Sequence, residues 1–310
     1  MDSRQRKLSG AFCLLLLMVC LAGYGAWADD INLTPKPGFV LIKARITEAG
    51  IPALMLSQKT TNHTRRPVVI LIHGGAAVDP FMTPDLPYKE EWFRPVYEDV
   101  PYRLAENGML VISIDAAWAE SRIPPEARSQ VEANPLKAIL SFWMASVNEI
   151  PRIIRYLHTR SDVDPSRIGL AGKSGGAIVS LMAACQKPSP SVVVSWKGGA
   201  DLAELARLKG QGGLMETTLA QDPVFRTTLE GMDPIFNFTR IPPTALALIN
   251  NREDPAVPRV CAELLYDKLK PLYEEHPDRL FLKLCDTNQP THDDQLEAFD
   301  AGCQWLIKHL

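Results

Sequence analysis

Apolar runs of strand length alternate with helical stretches along most of this chain, and this alternation constrains its fold more than any other feature. The run at residues 68–73 is almost wholly apolar and β-branched, which is typical of a strand buried on both faces. Ahead of it, two runs with two-fold alternation flank Gly50 and predict an antiparallel hairpin. The whole pattern predicts an α/β fold with a doubly wound, mostly parallel sheet and helices on both faces.

The predicted elements can be given by residue range. The hairpin strands cover residues 39–46 and 53–58, and the later strands cover residues 68–73, 109–114, 167–171, 191–196, 244–249 and 280–284. The clearest predicted helices cover residues 91–107, 136–158, 175–186, 259–273 and 295–309.

Three segments interrupt the alternation, at residues 76–90, 119–135 and 198–243. Each follows the C-terminal end of a predicted strand, which is the side on which open α/β sheets bind ligands. We therefore expect these segments to form the rim of a binding site, with residues 198–243 as a candidate lid. The alternative is that they are surface loops without a role in binding.

The composition is that of a folded globular protein, with 46% hydrophobic and 22% charged residues among 310. Lys and Arg total 33 against 36 for Asp and Glu, so the formal charge is -3. Because no basic field would attract polyanions, we expect no nucleic-acid partner and no binding to an anionic membrane surface.

The N-terminus has the pattern of a secretory signal peptide. Arg4, Arg6 and Lys7 precede an uncharged apolar run at residues 11–23, and Ala26-Trp27-Ala28 supplies the small residues of a cleavage site. The apolar run is shorter than the roughly 20 residues that a spanning helix needs. We expect residues 1–28 to be removed and residues 29–310 to form one exported domain, periplasmic or secreted, without stable membrane insertion.

Four cysteines remain after such cleavage. An export compartment permits disulfides, and four cysteines allow three pairings, among which the sequence does not choose. Since none lies in a C-x-x-C motif, neither a zinc site nor a redox motif is indicated. The four are Cys185, Cys261, Cys285 and Cys303.

The segment Gly172-Lys173-Ser174-Gly175-Gly176 matches the G-x-S-x-G motif. A predicted strand ends just before it and a predicted helix follows it, so Ser174 would lie on a tight turn that exposes its hydroxyl. A serine hydroxyl becomes a good nucleophile only when a base takes its proton and a third group orients that base. The motif therefore predicts a nucleophile whose base and acid lie elsewhere in the sequence.

His292 is the predicted base, because it lies between the last strand and the last helix, at the C-terminal edge of the sheet. The predicted acid is Asp254, which follows the strand at residues 244–249 and precedes Pro255. Glu253 is an adjacent competitor, and a surface-turn role for Asp254 is the alternative to a catalytic one. The order Ser174, Asp254, His292 is that of one known triad arrangement.

These motifs together resemble the α/β-hydrolase superfamily over nearly all of residues 39–310. The resemblance rests on HGG at residues 73–75, SRIGLAGKSGG at 166–176, DPAVP at 254–258 and TH at 291–292. Within the superfamily the chain is most similar to the dienelactone hydrolase, acetyl xylan esterase and prolyl oligopeptidase-like branches. The resemblance implies eight strands, with the three triad residues after the fifth, seventh and eighth, and it implies no cofactor.

The resemblance also implies an oxyanion hole. One donor would be the backbone N–H of Gly175, and the other would come from Gly75 or Ala76. Two glycines rather than three precede Ala76, so this turn departs from the lipase-like pattern. Lys173 is a second departure, and we expect a structural role because the residue before the nucleophile usually points away from the pocket; a contact with an anionic substrate is the alternative.

The function that these residues predict is hydrolysis of carboxylic esters through an acyl-enzyme, on a small-molecule or carbohydrate-linked substrate. A small prolyl oligopeptidase-like peptidase and a non-catalytic binding protein on the same fold are the alternatives.

The string GLAGKS does not make a phosphate-binding loop, because Arg167 stands where that motif requires glycine. Acyl specificity and oligomeric state are not readable from the sequence. Five aromatic residues are candidates for apolar or sugar-stacking walls, with core packing as the alternative: Trp92, Phe93, Trp118, Phe142 and Trp143.

Overall fold

Eight strands form one sheet in the computed structural model, which describes residues 33–59, 65–75, 92–93, 97, 99–117, 122, 127–292 and 296–310. The strands are β1 (Phe39–Ile46), β2 (Ile51–Gln58), β3 (Arg66–Ile72), β4 (Leu110–Ile114), β5 (Val163–Lys173), β6 (Val192–Trp196), β7 (Ala245–Asn251) and β8 (Leu280–Cys285). Their order across the sheet is β1-β2-β4-β3-β5-β6-β7-β8. The pairings of β1 with β2 and of β2 with β4 are antiparallel, and all the others are parallel. The predicted hairpin and mostly parallel sheet are confirmed.

Helices connect these strands within the described residues. They are α1 (Asp99–Glu106), α2 (Ala127–Ala133), α3 (Pro135–His158), α4 (Gly175–Ala184), α5 (Leu202–Leu208), α6 (Gly212–Gln221), α7 (Pro223–Met232), α8 (Pro234–Asn237), α9 (Val260–Leu269) and α10 (Leu296–His309). Short 3₁₀ turns follow at Phe238–Arg240, Lys270–Tyr273 and Pro277–Arg279.

The two faces of β3 belong to two different cores. Val68, Ile70 and Ile72 pack in a core that includes the buried residues of α3 and α4. Val69 and Leu71 pack in a second core, with the buried residues of α1 and α10. All five side chains are fully buried, which explains why residues 68–72 of this strand are all apolar. Helices therefore cover both faces of the sheet, as predicted.

Residues 198–243, which we call the insert, interrupt the alternation of strands and helices because they are mostly helical. The side chains of Asp201, Asp222 and Asp233 accept hydrogen bonds from backbone N–H groups at the starts of α5, α7 and α8. Pro223 and Pro234 occupy the first positions of α7 and α8, where a missing N–H costs nothing. These helix-start signals are present in the sequence and outweigh the glycines.

The insert packs onto the domain through apolar side chains. Leu202, Met215, Phe225, Leu229 and Ile235 are buried in the same core as α3 and α4. The insert is therefore continuous with the core on this face of the sheet.

The four cysteines in the described part of the chain are all free and buried. Burial raises the pKa of the Cys185, Cys261 and Cys303 thiols to about 12, and it also raises the pKa of Cys285. Because the thiolate is the reactive form, these side chains act as small apolar groups in the core.

Several predictions fall outside the described residues. These are the signal peptide at residues 1–28, the segment at residues 76–90 with Ala76, residues 119–121 and 123–126 of the segment at residues 119–135, and Trp118. Of the helix predicted at residues 91–107, the structure describes α1 and a few residues before it. Among the helices that are described, none is both long and apolar enough to span a membrane.

Candidate active site

Ser174 lies on a sharp turn between β5 and α4. Its backbone has φ 52° and ψ -118°, a region that non-glycine residues rarely adopt, and its N–H donates to the Trp196 carbonyl at 2.8 Å. Flanking glycines are required by close approach: a Cβ on Gly172 would lie 2.2 Å from the Gly176 carbonyl oxygen, and one on Gly176 would lie 2.4 Å from the His73 carbonyl oxygen. The turn thus holds the Ser174 side chain at the C-terminal edge of the sheet.

A continuous hydrogen-bonded chain joins the three predicted triad residues. His292 Nε2 lies 2.9 Å from Ser174 Oγ, and His292 Nδ1 lies 2.7 Å from Asp254 Oδ2. A carboxylate beside Nδ1 can only accept, so Nδ1 carries the proton and Nε2 presents its lone pair to the serine hydroxyl. The arrangement can take a proton from Ser174 without further movement.

The Asp254 carboxylate is held from both sides. Its side chain has no solvent exposure, whereas that of His292 is 17% exposed. Oδ1 accepts hydrogen bonds from the backbone N–H groups of Ala256 and Val257, at 2.8 and 2.9 Å. The competitor, Glu253, has an exposed side chain, and its backbone carbonyl accepts from the N–H of Thr291. The structure therefore brings Asp254, and not Glu253, to the histidine.

Two buried side chains from neighbouring strand ends hold the loop that carries His292. Lys197 follows β6, is 1% exposed, and donates from Nζ to the His292 carbonyl at 2.8 Å. Asn251 ends β7 and donates from Nδ2 to the Thr291 carbonyl at 2.9 Å. Sequence reasoning missed both, although a lysine directly after the apolar run VVVSW was a signal of a specific buried partner.

The HGG turn lies against the start of α4. His73 is fully buried; its Nε2 accepts from the Ala116 N–H at 3.0 Å, so its Nδ1 carries the proton and donates to the Gly74 carbonyl at 2.7 Å. The Gly75 carbonyl oxygen lies 2.3 Å from the point that a Cβ on Gly175 would occupy. The turn and the first residue of α4 are therefore in close contact.

Lys173 contacts the core on the other face of the sheet from α4. Its Nζ donates to the Tyr97 hydroxyl and lies 4.3 Å from the centre of the same ring. Tyr97 belongs to an aromatic cluster with Trp92, Trp196 and Phe299. These contacts agree with the structural role that we expected for the residue before the nucleophile.

The aromatic candidates for pocket walls have different environments. Trp92 and Phe93 are buried in the core with α1 and α10, and Phe142 is buried in the core with α3 and α4. Trp143 is partly buried and lies beside Gly175, at the candidate site. In the part of the chain that the structure describes, no three His, Cys, Asp or Glu side chains are grouped so that they could hold a metal ion.

The chain is similar to several known proteins. Putative esterase YitV of Bacillus subtilis (strain 168) is 26% identical over 242 residues, which are 76% of this chain and 86% of that protein. No known protein-family profile matches the chain.

Solved structures share its fold. TT1662 from Thermus thermophilus has a TM-score of 0.63 at 19% identity, covering 86% of this chain and 97% of that one. Acetyl xylan esterase from Paenibacillus sp. R4 has a TM-score of 0.63 at 16% identity, covering 96% and 94%. Prolyl oligopeptidase B from Galerina marginata has a TM-score of 0.63 at 14% identity, covering 88% of this chain but only 37% of that one. The protein therefore has the α/β-hydrolase fold.

Proposed function

We propose that this protein is a serine hydrolase that cleaves carboxylic esters through an acyl-enzyme. The observation that carries the proposal is the hydrogen-bonded chain from the Asp254 carboxylate through the His292 imidazole to the Ser174 hydroxyl. This chain provides a nucleophile, a base within reach of its proton, and an acid that orients the base.

In the first half of the proposed reaction, Ser174 Oγ forms a bond to the acyl carbon while its proton passes to His292 Nε2. The Asp254 carboxylate accepts from Nδ1–H and stabilises the imidazolium that forms. The imidazolium then gives the proton to the alcohol oxygen as the acyl C–O bond breaks. The alcohol leaves, and the acyl group remains on Ser174.

In the second half, a water molecule gives a proton to His292 Nε2 and attacks the acyl carbon. The bond to Ser174 Oγ breaks, the serine oxygen recovers its proton from the imidazolium, and the carboxylic acid leaves. In both halves the acyl oxygen becomes an oxyanion. We assign one of its donors to the backbone N–H of Gly175 and the second to Gly75 or Ala76, since the HGG turn faces the start of α4.

Similarity to an esterase over most of both chains favours esters over peptides as substrates. The prolyl oligopeptidase shares the fold alone, and this chain spans about a third of it, 37%. The substrate class, a small-molecule or carbohydrate-linked ester, agrees with the fold shared with an acetyl xylan esterase.

A panel of 4-nitrophenyl esters of increasing acyl length, assayed beside proline-containing peptide 4-nitroanilides, tests the ester proposal. We expect saturable ester turnover, and anilide turnover slower by at least about a thousandfold, the size of a difference in transition-state stabilisation of about 4 kcal/mol. Faster cleavage of the anilides would instead identify a peptidase, and turnover of neither by folded protein would favour a binding protein.

Lys197→Met is expected to lower kcat by about tenfold to a hundredfold while KM changes little. The carbonyl of His292 would lose the Lys197 donor, and a shift of about 1 Å in a catalytic group is enough for such a loss. Steady-state kinetics on the best ester measure the effect.

Lys283→Met is the matched control for that substitution. Lys283 lies on β8 and pairs with Glu297 instead of the histidine loop, so its loss should leave kcat within about twofold. Equal kcat values for Lys197→Met and wild type would show that this lysine does not position His292.

We also propose that the protein is exported after removal of residues 1–28, which is supported by Arg4, Arg6 and Lys7 before the apolar run. N-terminal sequencing of the exported protein should give Asp29 first, and an intact N-terminus would contradict cleavage.

The insert is our candidate lid. In support, Lys209 of the insert donates from Nζ to the carbonyl of Pro255, in the loop that carries Asp254.

A further inference from the structure

The indole N–H of Trp143 is a buried hydrogen-bond donor with no assigned role in the proposed ester hydrolysis. Trp143 lies in the first half of α3, and its ring is partly buried. Its Nε1 atom has no solvent contact and no hydrogen-bond partner within the described part of the chain. Buried donors in folded proteins are nearly always paired, so an unpaired one calls for an explanation.

The position of this donor links it to the nucleophile turn. Trp143 Nε1 lies 3.2 Å from the point that a Cβ on Gly175 would occupy, beside the carbonyl oxygen of Gly75. By covalent geometry a Cβ lies about 2.5 Å from the nitrogen of its own residue, so Nε1 is within about 6 Å of the Gly175 nitrogen. A hydrogen bond places an acceptor oxygen about 3 Å from the donor nitrogen, so one oxygen atom between these two nitrogens could accept from both.

Lack of a partner does not distinguish Trp143 by itself. Nε1 of Trp92 and Nε1 of Trp305 are also buried without a partner among the described residues. Both tryptophans pack in the core shared with α1 and α10. Trp143 differs from them because its Nε1 atom lies against Gly175, the first residue of α4 and the residue that follows Ser174.

We infer that the Nε1–H of Trp143 is a side-chain donor to the acyl oxygen of the ester, acting beside the backbone N–H of Gly175. The inference rests on the proposed ester hydrolysis. The acyl oxygen gains negative charge when Ser174 attacks, so the hydrogen bond strengthens in the transition state and the donor raises kcat more than it lowers KM.

Trp143→Phe removes the donor and keeps an aromatic ring on α3. We expect kcat on the best ester to fall by about a hundredfold, with KM within about threefold, as for loss of one oxyanion donor. Trp92→Phe and Trp305→Phe are matched controls because each removes an unpaired buried Nε1–H elsewhere, and both should keep wild-type kcat. A folded Trp143→Phe variant with wild-type kcat would overturn the inference.

A second readout does not depend on turnover. Diethyl 4-nitrophenyl phosphate should modify Ser174 and leave a P=O oxygen at the position of the oxyanion. In ¹H–¹⁵N spectra of the tryptophan indoles, the peak absent from Trp143→Phe should move downfield on modification, and those absent from the two control variants should not. A modified wild type with an unmoved Trp143 peak would refute the inference alone. No modification of folded wild type would refute the proposed function, and this inference with it.

Discussion

Ser174→Ala should reduce ester turnover by at least about a thousandfold while leaving the protein folded. The substitution removes Ser174 Oγ, the atom that bonds to the acyl carbon. Loss of a triad nucleophile commonly lowers kcat by several powers of ten. The fold should tolerate it because the Ser174 side chain makes its hydrogen bond to His292 at a partly exposed site and not in a core. Steady-state kinetics and thermal denaturation measure the two effects.

Ser141→Ala is the matched control. Ser141 is a partly buried serine on α3 whose hydroxyl donates to the Lys137 carbonyl within the same helix. Its loss should leave kcat within about twofold of wild type, as expected for a surface substitution away from a special feature. If Ser174→Ala and Ser141→Ala were equally active, the nucleophile would have to lie elsewhere.

Asp254→Asn should lower kcat by about three to four powers of ten with little effect on KM or stability. Asparagine keeps the shape of the side chain but loses the charge, and its amide N–H₂ favours the histidine tautomer with the proton on Nε2. That tautomer donates to Ser174 Oγ and cannot accept its proton. Kinetics on the best ester measure the loss.

Glu253→Gln gives the control next to Asp254 in the chain. The same chemical change at an exposed side chain should alter kcat by no more than about twofold, because Glu253 contacts the histidine loop through its backbone carbonyl. A large loss in Glu253→Gln together with near-normal kcat in Asp254→Asn would reverse the assignment of the acid.

Most of the sheet could be predicted because the pattern of apolar residues in each strand reflects which of its faces are buried. β3 and β6 are apolar at nearly every position since both of their faces are buried, whereas β1, at the edge of the sheet, carries exposed Lys43 and Arg45. β5 extends further back than predicted, from residue 163. Its first residues pair with Arg66 across a register shift, and a pairing between distant segments leaves no local pattern in the sequence.

The insert shows a different limit. It contains glycines, which disfavour helix, yet three aspartates and two prolines mark helix starts there. Local signals of opposite sense were present, and the side chains that pack into the core decided the outcome.

The triad could be predicted because each member follows a strand end, and parallel strand ends meet at one edge of the sheet. The supporting residues could not. Lys197 contacts a carbonyl 95 residues away, and Trp143 meets Gly175 through the packing of α3 on α4. Neither lies in a motif, so only the three-dimensional arrangement shows their relation to the site.

The central claim is that Asp254 and His292 activate Ser174 as a nucleophile. The most direct measurement treats the protein with a fluorophosphonate and maps the adduct by peptide mass spectrometry, in wild type, Asp254→Asn and His292→Ala. Wild type should be labelled at Ser174, and labelling should slow by at least about a hundredfold in both variants. Labelling of another residue, or equal labelling of Ser174 in all three proteins, would contradict that claim.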